Sequence, residues 1–460
     1  MKKIILLITI CFTILTFNSY AQYHKLFDFD SINGRKPVGD LISDGTFLYG
    51  MTELGGTQDL GTIFKIKTDG TGYSKLLDFN FTNGQHPFGS LIYDGTFLYG
   101  TTSQGGSTSA GIIFRINPDG TSYTKLYDFG STGPYFPSGT LYREGNYLYG
   151  TTYLGSTPLE GAIFKIKTDG TGYTNLLNSV SVINGSRPTC PFISDSTYLY
   201  GMTNGGYGSS YEGIIYRIKP DGTSCSKLYD FGTLASAPNG SLIYDGTYLY
   251  GMTYLSSIGG IVSAGAVFKI KPDGTGYIKL IDLINMNAGG NPTGSLFYDG
   301  TYLYGMTSVG SVNMGGAIFK VKTDGTGFTT LLSFDGLQQG ASPFGSVISD
   351  GNFMYGMTAN GGIYNKGVIF KFNAHCPLPV TQTVSICKGN SINVGSHVYS
   401  HSGTYIDTLA YQNTTITNQY CDSVVITYLT VLPLKKVSQS LTICSGQSIM
   451  VGNNTHDIFH

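Results

Sequence analysis

A short motif recurs seven times along this chain, and its regular spacing constrains the fold more than any other feature. Each copy reads Leu-Tyr-Gly, or Met-Tyr-Gly in the last one, followed by Met-Thr or Thr-Thr. The spacings are 50, 50, 51, 50, 54 and 51 residues, with the glycines at Gly50, Gly100, Gly150, Gly201, Gly251, Gly305 and Gly356. A second marker, an aromatic residue followed by Lys or Arg, lies after each copy, at Phe64, Phe114, Phe164, Tyr216, Phe268, Phe319 and Phe370. A period near 50 residues without helical periodicity predicts an all-β fold, a seven-bladed β-propeller with four strands in each blade.

One repeat, residues 239–283, shows the expected strands. Apolar or alternating segments at 240–244, 248–252, 266–271 and 277–282 are typical of strands. The first pair is joined by Asp245-Gly246 and the last pair by Asp273-Gly274, and Asp-Gly tolerates the positive φ of a tight turn. In the third segment Phe268 alternates with lysines, so we expect one apolar face and one partly solvated face.

The two ends of the repeat array predict how the fold closes. Residues 23–29 match the fourth strand of a repeat but stand before the first complete set, whereas the seventh set stops after its third strand. Asn373 follows that third strand where six earlier copies have an Asp-Gly turn. We therefore expect residues 23–29 to pair as the outermost strand of the blade that contains Phe370, so that the N-terminal strand closes the ring.

The ordered submotifs resemble a known repeat family. Pro-x-Gly-Ser-Leu, Asp-Gly, Leu-Tyr-Gly-Met/Thr-Thr, a Gly-Gly pair and Gly-x-Ile-Phe-Lys recur in this order over residues 23–373, and this pattern is similar to the GloVer tandem repeat. Single positions depart from it, with Glu144 for Asp, Ser196 for Gly and Cys190 for Gly. The resemblance implies an exported or surface propeller without an established activity. Kelch and WD repeats do not fit because the chain contains no Trp.

The composition changes on both sides of the repeats. Lys2 and Lys3 precede an apolar run at 4–17 that is shorter than the roughly 20 residues needed to span a bilayer, so we expect a signal peptide at 1–21 and no transmembrane segment in the mature chain. The propeller is then expected at 22–375. Residues 376–433 resemble the small Cys-containing β modules of Bacteroidetes surface proteins, and 434–460 resemble the start of a second, truncated copy. On that resemblance, Cys387 and Cys421 are expected to form a disulfide in the exported protein.

Charge and motifs exclude several classes of function. The formal net charge is −1, or −3 without Lys2 and Lys3, so no cationic field favours nucleic-acid binding. No cofactor motif is present, and no metal site is expected. Residues 28–34 are rich in oxygen ligands, but Ile stands at their fifth position, and Asp28 is better explained as a repeated strand-end residue. His397 and His401 are expected to be free surface histidines.

Three functional hypotheses remain. The favoured one is a secreted or cell-surface, non-catalytic binding or adhesion module whose partner is a surface glycan or a protein. A glycosidase or lyase acting on polysaccharides is the alternative, because Glu160 and Glu212 fall in long loops where two carboxylates could flank a glycosidic bond. A structural spacer is the third.

The loops indicate where a ligand would bind. The two Asp-Gly turns of each repeat are short and uniform, whereas the loops from the second to the third strand and between repeats vary in length and content. These variable loops open on the opposite face from the turns. Variable loops on a rigid scaffold commonly carry recognition, and tyrosines offer flat faces for stacking. We therefore predict a binding surface around Tyr207, Tyr211 and Tyr254, although the same tyrosines could simply pack within their own loops.

Overall fold

The structure is a computed structural model of the 460-residue chain. It describes residues 23–130, 133–137, 139–155, 161–178, 180–183, 185–188, 191–206, 213–232, 237–258, 261–263, 265–283, 289–310, 314–373, 380–394, 397–409, 423–433, 448–451 and 454–457. The chain divides into two compact units, Met1–His375 and Cys376–His460. The described residues of both units form β-strands and loops, with one short 3-10 turn at Val180–Ile183 and no α-helix.

The first unit is a series of antiparallel sheets that follows the sequence repeat. Strand β1 (Tyr23–Asp28) comes first and is followed by the complete sets. Sheet I contains β2 (Ile42–Ser43), β3 (Phe47–Thr52), β4 (Thr62–Lys67) and β5 (Ser74–Asp78). Sheet II contains β6 (Ile92–Tyr93), β7 (Leu98–Thr102), β8 (Ile112–Ile116) and β9 (Thr124–Asp128). Sheet III contains β10 (Tyr135–Pro137), β11 (Tyr142–Glu144), β12 (Tyr147–Leu154), β13 (Ile163–Lys167) and β14 (Thr174–Leu177).

The remaining sheets of this unit repeat the same order. Sheet IV contains β15 (Gly185–Pro188), β16 (Ile193–Ser194), β17 (Leu199–Gly206), β18 (Ile214–Ile218) and β19 (Ser226–Asp230). Sheet V contains β20 (Pro238–Tyr244), β21 (Leu249–Thr253), β24 (Ala266–Ile270) and β25 (Ile278–Asp282), and its long loop carries a hairpin of β22 (Ser256–Ile258) and β23 (Ile261–Ser263). Sheet VI contains β26 (Phe297–Tyr298), β27 (Tyr302–Thr307), β28 (Ala317–Lys322) and β29 (Thr329–Ser333). Sheet VII contains β30 (Ile348–Ser349), β31 (Met354–Thr358) and β32 (Val368–Phe372), and β1 is its fourth strand.

The two sequence markers are partners across neighbouring strands. Gly50 on β3 lies opposite Phe64 on β4, and a Cβ at Gly50 would come within 2.6 Å of the Phe64 ring. The aromatic ring therefore fills the space that a side chain at the glycine would need. The same Gly-aromatic pairing recurs in the other six sheets, which explains why both markers recur together.

The Asp of the first turn organises the hairpin between the first two strands. In sheet I, Asp44 Oδ1 accepts hydrogen bonds from the backbone N–H of Thr46 and Phe47, and Oδ2 accepts one from the Tyr49 hydroxyl. Burial raises the pKa of this carboxyl, but the hydrogen bonds from Phe47, Tyr49 and Thr46 outweigh it, so the pKa lies below its ordinary value. Five further sheets repeat the arrangement with Asp94, Asp195, Asp245, Asp299 and Asp350.

The apolar core lies between sheets rather than within one. Each of seven clusters of buried residues joins two neighbouring sheets. One of them joins the last sheet to the first, because Tyr355 and Ile369 of sheet VII pack with Leu48 and Phe64 of sheet I. Such stacking buries both faces of each sheet.

The third strand has the expected apolar face and partly solvated face, with Lys269 half-buried and Lys271 exposed on the second. In β24, Val267 is as fully buried as Phe268, and Lys269 is half-buried. The Lys269 ammonium lies 4.8 Å from the centre of the Tyr248 ring and donates to the carbonyl of Thr323 in the next sheet. The lysine stem therefore packs between sheets, and its charged end binds the neighbouring turn. Lys371 of sheet VII repeats the contact with Thr68 O of sheet I.

The second unit contains a three-stranded sheet and two hairpins among its described residues. Strand β37 (Ser423–Leu432) lies between β33 (Val380–Cys387), which is parallel to it, and β36 (Gly403–Leu409), which is antiparallel. The hairpins pair β34 (Ile392–Val394) with β35 (His397–Tyr399) and β38 (Ser448–Val451) with β39 (Asn454–Asp457). His397 is not a free histidine as expected, because its Nδ1 lies 2.8 Å from the buried Asp407 carboxylate.

Within the described residues, no helix has the length and apolar character required to cross a membrane.

Candidate functional site

Three positions in each repeat change their chemistry although each lies directly beside a constant proline or threonine of the repeated motifs. The first precedes the proline of Pro-x-Gly and is occupied by Lys36, His86, Phe136, Arg187, Ala237, Asn291 and Ser342. The second follows that proline and is occupied by Val38, Phe88, Ser138, Thr189, Asn239, Thr293 and Phe344. The third follows the threonine that ends Leu-Tyr-Gly-Met/Thr-Thr and is occupied by Glu53, Ser103, Tyr153, Asn204, Tyr254, Ser308 and Ala359. We call these the three variable rings.

The residue before the proline has an unusual backbone conformation in all seven repeats. Its φ lies between 52° and 58° in every case, although none of the seven is glycine. This left-handed region is disfavoured for side chains other than glycine, and the following proline disfavours helical angles further. Backbone hydrogen bonds hold it there: His86 N–H donates to Leu60 O of the preceding sheet, while His86 O accepts from Ser103 N–H of its own sheet. The side chain at this position is thus presented from a fixed backbone.

A central cavity of about 210 Å³ is lined by residues of all seven sheets. Its wall is built from the Pro-x-Gly-Ser segments, which enter the first strands. These segments touch their neighbours closely, since a Cβ at Gly39 would lie 2.6 Å from Gly89 O and one at Gly345 would lie 2.4 Å from Gly39 O. At Gly39 and Gly345 a side chain would therefore clash with the neighbouring segment. Variable residues Val38, Phe88, Asn239, Thr293 and Phe344 contribute to the same wall.

A belt of hydrogen bonds joins these segments around the cavity. In each bond, the backbone N–H of one segment donates to the side-chain oxygen of the neighbouring segment. The five bonds are Asp40 N to Ser90 Oγ (2.7 Å), Ser90 N to Thr140 Oγ1 (2.8 Å), Ser241 N to Ser295 Oγ (2.7 Å), Ser295 N to Ser346 Oγ (2.6 Å) and Ser346 N to Asp40 Oδ1 (2.5 Å). Pro191 occupies the equivalent position in sheet IV and interrupts the belt, because proline has neither an N–H group nor a side-chain acceptor.

Asp40 is the one carboxylate among the lining residues of the central cavity. Five other repeats have Ser or Thr at this position, and in four of them the side-chain hydroxyl accepts a belt hydrogen bond as Asp40 Oδ1 does. Burial raises the pKa of Asp40 above its ordinary value, and hydrogen bonds from Ser346 and Ser90 offset only part of this effect. The side chain is enclosed by protein except toward the narrow cavity, which leaves it partly accessible. The belt thus contains one ionisable group in an environment that disfavours its charge.

Replacing Asp40 with Ser is expected to stabilise the protein near neutral pH. A carboxyl whose pKa is raised by folding stabilises the native state at low pH, and that contribution is lost as pH rises from the ordinary value of 3.8 through the raised one. Serine retains an acceptor for Ser346 N–H but has no charge to bury. We expect a melting temperature higher than that of the parent by roughly 1–4 °C at pH 7.

The pH dependence separates this explanation from improved packing. Melting temperatures of Asp40→Ser and of the parent, measured by calorimetry between pH 4 and pH 7, should diverge as pH rises. Asp69→Ser is the matched control, since Asp69 is exposed and the Thr71 hydroxyl and N–H lower the pKa of its carboxyl. A constant difference between Asp40→Ser and the parent across this range would contradict the assignment.

A second cavity, of about 370 Å³, adjoins the central one. It is lined by Phe88, Ser103, Gln104, Phe136, Tyr153, Asn204 and Asn239 from sheets II to V. Six of these seven residues belong to the variable rings, and Gln104 directly follows one of them. Phe88 and Asn239 also line the central cavity. We call this second cavity the lateral cleft.

The structure describes one of the three tyrosines predicted to bind a ligand. Tyr254 lines the central cavity, and its backbone N–H donates to the carbonyl of Ala237, the residue before the proline of the same repeat. Tyr207 and Tyr211 lie outside the described residues, as do Glu160 and Glu212. Glu53 is described, and its carboxylate pairs with the Lys36 ammonium at 2.8 Å.

The carboxylates of Asp28 and Asp30, the potential metal ligands of residues 28–34, are engaged in contacts within the protein. The Asp28 carboxylate binds the Lys25 ammonium and the backbone N–H of Ile363, and the Asp30 carboxylate binds the backbone and side chain of Asn33. Among the described residues, no three side chains of His, Cys, Asp or Glu are grouped as metal ligands would be.

Cys387 is exposed at the end of β33, and Cys421 lies outside the described residues. Their disulfide remains a prediction.

Apart from Tyr254, the lining residues of both cavities were not predicted from the sequence, among them Asp40, Phe136 and Tyr153. Loop length placed the predicted binding surface in the longest loops. The lining residues instead lie in short segments, beside Pro-x-Gly and after the second strand of each repeat. The signal for Phe136 and Tyr153 is variation from repeat to repeat beside a constant proline or threonine, and the signal for Asp40 is a carboxylate where five other repeats have Ser or Thr.

Solved structures with similar architecture define the class of fold. An oligogalacturonate lyase in complex with manganese aligns with a TM-score of 0.51 and 12% identity over 77% of this chain and 93% of its own. The oligogalacturonate lyase of Vibrio parahaemolyticus aligns with a TM-score of 0.53 and 11% identity, covering 77% of this chain and 94% of its own. The extracellular domain of a protein described as a one-component system of B. thetaiotaomicron aligns with a TM-score of 0.51 and 13% identity, covering 76% of this chain and 40% of its own. At such identities the similarity concerns the fold alone, and it shows that the fold is a β-propeller.

The family follows from the sequence. The Gloeobacter/Verrucomicrobia repeat model matches residues 93–261 and 255–414, which together span more than half of the 460 residues. The chain therefore belongs to the Gloeobacter/Verrucomicrobia repeat family, and the resemblance to the GloVer repeat is confirmed. No protein of curated function matches the sequence significantly.

Proposed function

We propose that this protein is an exported, non-catalytic binding module, and that its ligands dock on the face that carries the variable rings. The observation that carries the proposal is the position of these rings. Residues that differ from repeat to repeat line both the central cavity and the lateral cleft, whereas the opposite turns repeat the same Asp contacts. Chemical variety on a uniform, rigid scaffold is typical of a recognition surface.

The proposal includes a ring of seven blades that the N-terminal strand closes. Pairing between β1 and β32 supports closure, with Tyr23 opposite Phe372 and Asp28 opposite Val368. The belt bond from Ser346 to Asp40 and the core cluster between sheets VII and I support it further. A closed ring leaves no exposed sheet face and holds the variable rings at fixed distances from each other.

The carboxylates of the repeat support a non-catalytic role. Asp44, Asp94 and their equivalents accept three hydrogen bonds each and hold hairpins, while Asp69 and its equivalents hold the second turn. Hydrolysis of a glycosidic bond normally needs two carboxylates about 5–10 Å apart across the bond. The described lining of the two cavities contributes one, Asp40.

The apolar run at 4–17 after two lysines supports export by a signal peptide. A chain with 12% charged residues and a formal net charge of −1 is also poorly suited to electrostatic binding of nucleic acid. A glycan or protein on the outside of the cell is therefore the partner that we propose.

Binding by the full chain tests the proposal directly. The full chain is applied to an array of glycans and to extracellular proteins, and each ligand found is tested with Tyr254→Ala and Phe344→Ala, which alter the central cavity. We expect these variants to weaken binding while Ile278→Ala does not, because Ile278 is exposed on the outermost strand of sheet V and away from the variable rings. Binding that no variant of the face alters, or release of soluble products from a bound polysaccharide, would overturn the proposal.

A further inference from the structure

We propose that the lateral cleft binds a neutral oligosaccharide. This inference rests on the binding function proposed above and assigns a ligand class to one part of the variable face. It follows from four properties of the cleft: its aromatic rings, its amides with spare hydrogen-bonding capacity, the absence of charge among its described lining residues, and its size.

Three aromatic rings line the cleft and offer apolar faces. Phe88 is 51% exposed although it is large and apolar, and Phe136 and Tyr153 are half-buried. The C–H face of a pyranose ring is apolar and flat, so it can stack on an aromatic face while its hydroxyls point outward. One exposed aromatic residue needs no explanation, but three in one concave site indicate a ligand with flat apolar faces.

Two of these rings are held in place by contacts beside the cleft. The Arg187 guanidinium lies 5.3 Å from the centre of the Tyr153 ring. Phe136 packs edge to face with Tyr135 at 5.1 Å, and its backbone N–H donates to Ala110 O while φ is 58°. Rings that are fixed before binding lose little conformational entropy when a ligand stacks on them.

Polar groups of the cleft retain hydrogen-bonding capacity. The Asn204 amide has no hydrogen-bond partner within the described part of the chain, and Asn239 uses only Oδ1, which accepts from Gly240 N–H. Gln104 uses only Oε1, in a long contact of 3.4 Å with Gln85. Each side-chain amide presents both donors and an acceptor, and sugar hydroxyls both donate and accept. Amides and an apolar ring face together match a sugar better than they match a purely apolar ligand.

The absence of charge selects among sugars. Among the lining residues that the structure describes, none is Asp, Glu, Lys, Arg or His. A uronate or a phosphate would lose hydration on entering a cleft whose described lining holds no cation, and the Arg187 guanidinium beside it is engaged with the Tyr153 ring. The volume of about 370 Å³ lies within the roughly 300–1,000 Å³ of typical ligand sites. A neutral saccharide is thus the ligand that fits size, polarity and charge together.

Titration calorimetry of the full chain with four probes tests the inference. The probes are cellohexaose, xylohexaose and mannohexaose, which are neutral, and hexagalacturonate, which is acidic. We expect at least one neutral probe to bind, and Tyr153→Ala and Phe136→Ala each to weaken it about tenfold. Asn204→Ala should weaken it less. Tyr364→Ala is the matched control, because Tyr364 is 57% exposed in the loop of sheet VII and outside the cleft, and it should not change affinity.

The conservative variant Tyr153→Phe keeps the ring and should keep most of the affinity, which distinguishes stacking from loss of fold. Binding of hexagalacturonate alone, no binding of any neutral probe at about 10 mM, or unchanged affinity in the cleft variants would overturn the inference. A different outcome distinguishes failure of this inference from failure of the proposed binding function. If an array protein binds and Tyr254→Ala weakens it while no neutral sugar binds, the binding function stands and the lateral cleft is not a glycan site.

Discussion

Deletion of residues 23–29 is expected to prevent stable folding of the first unit. Strand β1 supplies the edge of sheet VII, where Tyr23 stacks on Phe370 with ring centres 5.8 Å apart, and its hydroxyl donates to Gln339 O. Phe29 is completely buried and contacts Phe64 of sheet I edge to face at 5.3 Å. Each buried aromatic side chain contributes roughly 1.5–3 kcal/mol, so the loss of two, together with the strand pairing, approaches the whole free energy of unfolding of a typical domain.

Circular dichroism melts and size-exclusion chromatography of the full chain and of the deletion variant measure the effect. The deletion variant should aggregate or melt far below the parent, because the edge of β32 and the side of sheet I become exposed. A permuted chain is the control: residues 23–30 are moved behind Asn373 through an Asp-Gly turn like that at Asp324-Gly325. This chain should recover most of the stability, since β1 then pairs with β32 as a hairpin. A deletion variant that melts like the parent would refute closure by this strand.

The repeat predicted the sheets well because its markers have a structural cause. Leu-Tyr-Gly and the aromatic-Lys pair are adjacent strands in register, and Asp-Gly supplies the turns before and after them. In residues 239–283, the predicted segment 240–244 is extended to Pro238–Tyr244, and the segment 248–252 is shifted by one residue to Leu249–Thr253. Periodicity and turn chemistry are local signals, and they suffice for strands that repeat.

Contacts between repeats were harder to predict. Alternation in 266–271 indicated a partly solvated face, but it did not show that Val267 on that face is buried or that Lys269 reaches the next turn. The hairpin of β22 and β23 in the long loop also escaped prediction, because each strand has only three residues, fewer than the roughly four to eight of a recognisable strand pattern. The cavities depend on which chain segments converge, and a single repeat does not contain that information. Tyr254 was selected for its loop, yet it lines the central cavity beside residues that were not selected.

Gly305→Ala is expected to destabilise the protein by about 2–3 kcal/mol, although alanine has the better intrinsic fit to a strand. Gly305 has no positive φ, so the reason is space rather than backbone conformation. A Cβ there would lie 2.5 Å from Cζ of Phe319 and 3.2 Å from Leu296 Cδ2, and the Phe319 ring is completely buried. Because the core between sheets is closely packed, the ring has little freedom to move away.

A double-mutant cycle with Phe319→Leu isolates this contact, because leucine lacks the Cζ atom that the new Cβ would meet. Unfolding by urea should show that Gly305→Ala with Phe319→Leu costs about 1 kcal/mol less than the sum of the single variants. Gly300→Ala provides the contrast, since Gly300 has a φ of 96° and nothing within 4 Å of an added Cβ. It should lose about 1 kcal/mol from backbone strain, and Phe319→Leu should not relieve that loss. If the changes in the free energy of unfolding of Gly305→Ala and Phe319→Leu are strictly additive, the facing aromatic ring is not the reason for glycine in the repeated motif.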